Sequence, residues 1–255
     1  MFKFFNEGLY TSLHVSGNTA LIVELLFIIA IIAVSYLLGS VNTAIIVSKI
    51  LYRDDIRKHG SGNAGMTNML RTYGKGAAGL TLLGDLLKTV ISIILAACLL
   101  GLHYDAGLSI NYAGYIAGLF AVLGHVFPIY YKFKGGKGVL VTASMALVLA
   151  PVPFLILFAI FVVVVWTSKY LSLGSVTVAV LFPVVVHAYF KFVLTATPHG
   201  LISLCTIILA IFIVWCHRTN LERISNRTEN KFSLRKKPAI TKESVNSKAN
   251  EDNEG

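Results

Sequence analysis

The feature that most constrains this chain is the length of its uncharged stretches. Five segments of 21 to 31 residues contain no Asp, Glu, Lys or Arg: 25–48, 106–131, 138–168, 170–190 and 192–217. A helix needs about 20 apolar residues to cross the hydrocarbon core of a bilayer. Only 13% of the chain is charged, against about a quarter in soluble domains. The pattern excludes a soluble or disordered protein and predicts an all-α integral membrane protein.

A sixth segment, 76–102, is apolar except for Asp85 and Lys88. These residues are three apart on one helical face, where they can neutralise each other inside a bundle. The 31-residue segment 138–168 is too long for one crossing, and a Pro-Val-Pro sequence begins at Pro151 near its middle. It therefore predicts two shorter helices that meet there, which gives about seven transmembrane helices. Five full spans with shorter re-entrant arms would also be an odd number, and would likewise place the two termini on opposite sides of the membrane.

The distribution of basic residues predicts the orientation of the chain. With seven helices and an external N-terminus, 19 of the 22 Lys and Arg residues fall on one side of the membrane. The positive-inside rule assigns that side, with the C-terminus, to the cytoplasm. We predict one membrane domain over 1–232 and a polar, disordered cytoplasmic tail over 233–255.

Four glycine-rich or polar segments interrupt the apolar sequence, all on the predicted cytoplasmic side. The first runs from His59 to Asn68 and is followed by Arg71. Backbone N–H groups of such loops can converge on an anion, and an arginine can hold a phosphate with two hydrogen bonds. The alternative is a flexible loop with an ordinary helix cap. The candidate phosphate ligands here are Gly60, Gly62, Asn63, Thr67, Asn68 and Arg71.

The second segment, 124–138, ends with three lysines and three glycines within seven residues. It is not a Walker A loop, because Gly138 rather than Ser or Thr follows Lys137, so nucleotide hydrolysis is disfavoured. Its alternative role is a basic membrane anchor. His125 is a candidate base or a hydrogen-bonded structural residue. The candidate phosphate ligands are Lys132, Lys134, Gly135, Gly136, Lys137 and Gly138.

The third segment, 169–175, is a short polar turn that contains Ser172, and the fourth, 217–231, follows the last apolar stretch. No Ser lies in a Gly-x-Ser-x-Gly frame, and no His and Cys residues have zinc-ligand spacing. We therefore predict neither hydrolase chemistry nor a metal or other cofactor.

At these four segments the sequence resembles the bacterial membrane family of acyl-phosphate:glycerol-3-phosphate acyltransferases. The resemblance rests on 60–71, 124–138, 170–175 and 217–231. It implies transfer of a fatty acyl group from acyl phosphate to the 1-hydroxyl of glycerol 3-phosphate, giving lysophosphatidic acid and inorganic phosphate. It also implies a seven-helix protein of the bacterial inner membrane whose active site faces the cytoplasm. The implied partners are these two substrates and the lipid bilayer, without nucleic acid.

The resemblance also implies which residues form the site. The candidate catalytic residues are Ser61, His125, His217 and Asn220; Ser61 is either a phosphate ligand or an acyl-accepting nucleophile. Ser172 joins the phosphate ligands, while Glu229, Asn230 and Lys231 support the site. Two alternatives stay open: an acyltransferase that uses acyl-CoA or acyl carrier protein, and a non-enzymatic lipid-binding membrane protein. A transporter would need polar residues along several spans.

Overall fold

The predicted all-α architecture is confirmed by a computed structural model, which describes residues 8–10, 13, 16–101, 104–105, 108–109, 112–194, 200–232 and 239–240. Two strands of two residues, Tyr104–Asp105 and Leu108–Ser109, pair antiparallel. The main helices are α1 (Gly17–Ser40), α2 (Thr43–Tyr52), α3 (Met66–Tyr73), α4 (Lys75–Leu100), α5 (Tyr112–Val126), α6 (Val139–Leu149), α7 (Pro151–Ser168), α8 (Leu171–Ala188), α9 (Gly200–Cys216) and α10 (Arg218–Ser225).

Five helical segments are long and apolar enough to cross a membrane, or six if α9 and α10, which meet at a 51° bend, form one span. The predicted division of 138–168 is confirmed, because α6 ends at Leu149 and α7 begins at Pro151. Proline is well tolerated at the first position of a helix. With 11 residues, α6 is about 16 Å long, roughly half the hydrocarbon thickness. The count of seven spans and the sides of the termini stay predictions.

Small residues bring α1 and α5 into close contact. Gly39 lies against the backbone of Ala121, and Gly124 lies against the carbonyl of Tyr36, so a Cβ at either glycine would collide with backbone. Such close approach is typical of packed membrane helices. The Tyr36 hydroxyl also donates to the carbonyl of Phe127 at 2.8 Å. The end of α5 is thus held against the end of α1.

The predicted neutralisation of Asp85 by Lys88 is confirmed. Lys88 Nζ lies 2.9 Å from Asp85 Oδ1, and both side chains are buried. The same ammonium donates to the carbonyls of Gly39 and Val41, at 3.1 and 3.0 Å, and lies 2.9 Å from Nδ1 of His125. Because an unpaired charge in an apolar bundle is costly, these contacts account for a lysine inside α4.

One end of the bundle, which we call the loop face, is formed by the connections from α1 to α4, from α5 to α6 and from α7 to α8, and by the residues after α9. Helices α1, α5, α7 and α9 end there, and α4, α6 and α8 begin there. Ala239 and Ile240 also belong to this end, since their N–H groups donate to the carbonyls of Arg71 and Thr72 at 3.3 and 2.9 Å. The rest of the predicted tail, 233–255, lies outside the described residues.

Candidate active site

The first glycine loop, residues 59–68, is shaped by Asn68. Its Oδ1 accepts the N–H of Ser61 at 3.1 Å, and its Nδ2 donates to the carbonyls of Ile56 and His59 at 3.3 and 2.9 Å. Gly60 adopts φ +57°, and a Cβ there would collide with the Asn68 side chain. The sequence predicts Asn68 as a phosphate ligand, but its buried amide uses both of its donor hydrogens within the loop. Asn68 therefore holds the loop instead.

The loop leaves other polar groups available. Ser61 is exposed, and Asn63 and Thr67 are partly exposed. Their side chains form no hydrogen bond with the described part of the chain, so their hydroxyl and amide groups are free to bind a ligand. Gly62 adopts φ +70°, a conformation that disfavours a side chain. The N-cap of α3 is Gly65, so no side chain caps that helix.

The second glycine loop, residues 132–138, is hydrogen-bonded to the end of α5. The N–H of Gly135 donates to the carbonyl of Val126, and that of Gly136 donates to the carbonyl of His125, both at 3.1 Å. A Cβ at Gly136 would collide with the His125 ring and the Ala64 carbonyl. Only glycine therefore fits where the two loops meet. Gly138, with φ +79°, is the N-cap of α6.

The second segment also contains the candidate base His125 and the candidate phosphate ligands Lys132 and Lys134. The His125 ring is 3% exposed and lies beneath Gly136. This position does not support a role as the base for a soluble substrate, because the glycine loop covers the ring. Lys132 and Lys134 are exposed, and neither side chain forms a hydrogen bond or ion pair with the described residues. The carbonyl of Lys134 instead accepts from Arg57 at 3.3 Å.

Three cations from different segments form what we call the basic cluster: Arg71, Lys137 and Arg223. Their charges act on one another, since Arg71 and Arg223 both lower the pKa of Lys137. Lys137 Nζ donates to Oδ1 of Asn220, and Arg71 Nη2 donates to the carbonyl of Asn230 at 3.4 Å. The first, second and fourth predicted segments therefore meet at this cluster.

Glu229 connects the third and fourth segments to the cluster. Its Oε1 accepts from Ser172 Oγ at 2.9 Å and from Asn220 Nδ2 at 2.8 Å, while its Oε2 accepts from Arg223 Nε at 2.7 Å. Burial by itself raises the pKa of Glu229, but hydrogen bonds from Arg223, Asn220 and Ser172 lower it below its usual range. The carboxylate is therefore charged at neutral pH and holds three donors in place.

Lys137 carries a perturbed ammonium group. Burial lowers its pKa, the charge of Arg223 lowers it further, and Glu229 partly opposes both effects; the resulting pKa is about 8. Burial likewise lowers the pKa of Arg71, which Glu229 opposes and Arg223 reinforces. Three cations beside one carboxylate give a site with excess positive charge, which an anionic ligand would neutralise.

The other predicted residues of the fourth segment differ in position. His217 is buried at the bend between α9 and α10, and its Nδ1–H donates to the carbonyl of Ile213 at 2.8 Å. Its ring lies near enough to Lys137 and Glu229 for their charges to act on it. Asn230 contributes its carbonyl to Arg71, whereas the exposed Lys231 side chain has no such contact with the described residues.

Three helices begin at the predicted segments without a side-chain cap. These are α3, α6 and α8, whose N-cap residues Gly65, Gly138 and Tyr170 form no side-chain hydrogen bond to the helix. The first N–H groups of a helix are unpaired, and its dipole favours an anion there. Together with the basic cluster, these helix ends make the loop face suitable for phosphate groups. No described His, Cys, Asp or Glu residues form a group of three that could hold a metal.

Two residues outside the predicted ligand set hold the loops together. Arg57 pairs with Asp55 through Nε and Nη2, at 2.9 and 2.7 Å, and its Nη1 donates to the carbonyl of Tyr131 at 3.0 Å. Asn42 caps α2 through the N–H of Ile45 and donates to the carbonyl of Ala64 at 3.4 Å. Arg57 is one of many basic residues in 49–75, so its sequence context does not distinguish it.

The chain is similar in sequence and in fold to known proteins. The model of the glycerol-3-phosphate acyltransferase family matches residues 29–227. A glycerol-3-phosphate acyltransferase of Mycoplasmopsis agalactiae is 39% identical over 235 residues, covering 84% of this chain and 97% of its own. The crystal structure of PlsY, an integral membrane glycerol 3-phosphate acyltransferase, in its glycerol 3-phosphate form is similar with a TM-score of 0.69 and 28% identity. Its lysophosphatidic acid form gives 0.66 and 27%; each covers 81% of this chain and 96% of that one.

Proposed function

The chain belongs to the glycerol-3-phosphate acyltransferase family, and from this premise we propose its acyl donor and its product. Acyl phosphate donates the acyl group, the 1-hydroxyl of sn-glycerol 3-phosphate accepts it, and lysophosphatidic acid and inorganic phosphate are released. The observation that carries this proposal is that Lys137, Arg223 and Arg71 bind Asn220, Glu229 and the carbonyl of Asn230, respectively, on the loop face. Each substrate brings one phosphate group, and a cluster of three cations suits two phosphates.

We further propose that the loop face lies in the cytoplasm of a bacterial inner membrane. Its loops, together with the tail, carry 19 of the 22 Lys and Arg residues, which the positive-inside rule assigns to the cytoplasm. Glycerol 3-phosphate then reaches the site from water, while the acyl chain of the donor stays among the apolar helices.

The proposed reaction needs positioning and charge stabilisation more than a covalent intermediate. The substrate hydroxyl oxygen attacks the acyl carbonyl carbon, the bond from that carbon to the phosphate oxygen breaks, and the hydroxyl proton leaves on hydrogen phosphate. In this scheme Lys137, Arg71 and the uncapped helix ends stabilise the charge that develops on the departing phosphate. The Ser61 hydroxyl donates a hydrogen bond to a phosphate oxygen. Glu229 and Asn220 aim Lys137, and His217 lies against this group.

The proposed donor is tested by phosphate release from palmitoyl phosphate by the purified protein in lipid. We expect release that depends on glycerol 3-phosphate and that Ser61→Ala lowers at least about tenfold, as loss of a ligand to a charged group costs roughly 1.5–3 kcal/mol. Thr167→Val is the matched control, because the Thr167 hydroxyl is exposed and, among the described residues, donates only to carbonyls of its own helix. Transfer from palmitoyl-CoA instead of palmitoyl phosphate would contradict the proposed donor.

The pKa of Lys137 predicts how activity depends on pH. A lysine binds phosphate only as its cation, and the cation is present below its pKa of about 8 and lost above it. We therefore expect kcat/KM to fall as the pH rises through about 8, and Lys137→Arg to remove this alkaline fall, because arginine stays protonated. The measurement is a pH–rate profile, corrected for hydrolysis of palmitoyl phosphate without enzyme. A profile that stays flat to pH 10 would contradict the role of Lys137.

A further inference from the structure

The proposed chemistry does not use the buried triad, which we define as Asp85, Lys88 and His125. The three side chains are at most 6% exposed and lie among apolar helices. Ionisable groups inside a membrane protein are costly and are commonly associated with function. A fold that needed only packing here would be served as well by apolar side chains of similar size.

The hydrogen bonds of the triad give it one defined geometry. An ammonium group only donates, and besides Asp85 three acceptors lie around Lys88 Nζ: the carbonyls of Gly39 and Val41 and Nδ1 of His125. Asp85 Oδ1 lies 2.9 Å from the same Nζ, and the carboxylate neutralises the ammonium as an ion pair. At 3.6 Å, Asp85 is too far from His125 for a hydrogen bond.

This geometry determines the tautomer and direction of the His125 ring. Since the lysine ammonium only donates, Nδ1 of His125 must accept, and the ring proton is on Nε2. The Nε2 edge faces Gly136, where a Cβ would collide with it. The ring therefore supports the glycine loop from beneath, one residue before Lys137.

Contacts of the same ammonium also extend to the first glycine loop. Lys88 binds the carbonyl of Val41 at the end of α1. The next residue, Asn42, donates to the carbonyl of Ala64, which lies against Gly136 on the side of the first loop. Through these contacts the buried ammonium of Lys88 supports both glycine loops.

We propose that the buried triad is a positioning network that acts through Lys137, holding the second glycine loop so that this ammonium reaches the substrate phosphate. The inference rests on the proposed function for what Lys137 binds. It assigns Lys88 and Asp85 to the acyl transfer reaction as positioning residues, and it gives His125 a role as the link between them and the loop.

A double-mutant cycle tests whether the network acts through Lys137. The network variant is Asp85→Asn with Lys88→Met, which leaves no unpaired buried charge. We expect it to lower kcat/KM about 10- to 30-fold when Lys137 is present, and less than threefold in the Lys137→Met background. Equal losses in both backgrounds would overturn the proposal, as would a loss below threefold with Lys137 present. If the paired variant does not fold, His125→Phe, which keeps a ring but no acceptor, replaces it.

The control is Tyr112→Phe, which removes a partly buried hydrogen bond, from Tyr112 to Glu24 at 2.9 Å, at the other end of α5. We expect its effect, if any, to be the same in both Lys137 backgrounds.

Hydrogen exchange supplies a readout without turnover. The network variant should raise exchange of peptides covering 132–138 at least about fivefold and leave α8 unchanged. An equal rise throughout the chain would overturn the proposal.

The failure of the proposed donor is distinguishable from the failure of this inference. If the unmutated protein uses palmitoyl-CoA and not palmitoyl phosphate, the proposed donor is wrong, and the same cycle is run with palmitoyl-CoA. If palmitoyl phosphate is used and the cycle is additive, the donor stands and the positioning network is wrong.

Discussion

Replacing Lys137 by methionine is expected to lower kcat/KM for acyl transfer about a thousandfold at pH 7. Methionine keeps the length of the side chain but removes the cation that contacts Asn220 at the centre of the site. Removing one preorganised donor to a developing anion typically costs 10²- to 10³-fold, and here the donor is also charged. The loss should appear mainly in kcat if the ammonium acts on the departing phosphate in the transition state.

The measurement is steady-state phosphate release in lipid, with substrate saturation for both the donor and glycerol 3-phosphate. Lys75→Met is the matched control, because Lys75 is an exposed cation at the start of α4 on the same face. It makes the same change in net charge, and its effect should stay within about threefold, as surface charges contribute little. Wild-type kinetics in Lys137→Met would show that Lys137 is not part of the site.

Replacing Glu229 by glutamine is expected to lower kcat/KM about a hundredfold. The carboxylate accepts from Ser172 and Asn220 through one oxygen and from Arg223 through the other. Glutamine keeps the shape, but one of its two terminal atoms is an NH₂ group that cannot accept. Either Arg223 or the pair of Ser172 and Asn220 then loses its acceptor, and hydrogen bonds to charged groups contribute roughly 1.5–3 kcal/mol each.

The pH profile distinguishes this effect from a loss of folding. Glu229 opposes the lowering of the pKa of Lys137, so its neutralisation should move the alkaline fall of kcat/KM to a pH below about 8. A merely destabilised protein would lose active enzyme without moving that midpoint. Glu222→Gln is the matched control, since Glu222 is exposed on α10 and its side chain has no ion pair with the described residues. An unchanged midpoint in Glu229→Gln would contradict the proposed coupling.

The apolar helices, and the polar segments that meet at the loop face, were predictable from the sequence. Hydropathy along the chain is enough to locate membrane helices because a bilayer demands about 20 apolar residues in one run. The break between α6 and α7 followed from Pro151, and the neutralisation of Asp85 by Lys88 followed from their spacing on one helix. Each of these features depends on residues close together in the chain, where backbone geometry alone determines which side chains meet.

What each side chain does within those segments was decided by the tertiary structure. Asn68 holds its own loop, His125 lies beneath Gly136, and Glu229 reaches Ser172, 57 positions away in sequence. A polar residue in a glycine-rich motif can bind a ligand or support the loop, and its type does not distinguish the two roles. The difference depends on which donors and acceptors packing brings within about 3 Å. The local sequence therefore determined which segments are polar and rich in glycine, and contacts between distant segments decided which of their side chains are held by the described part of the protein.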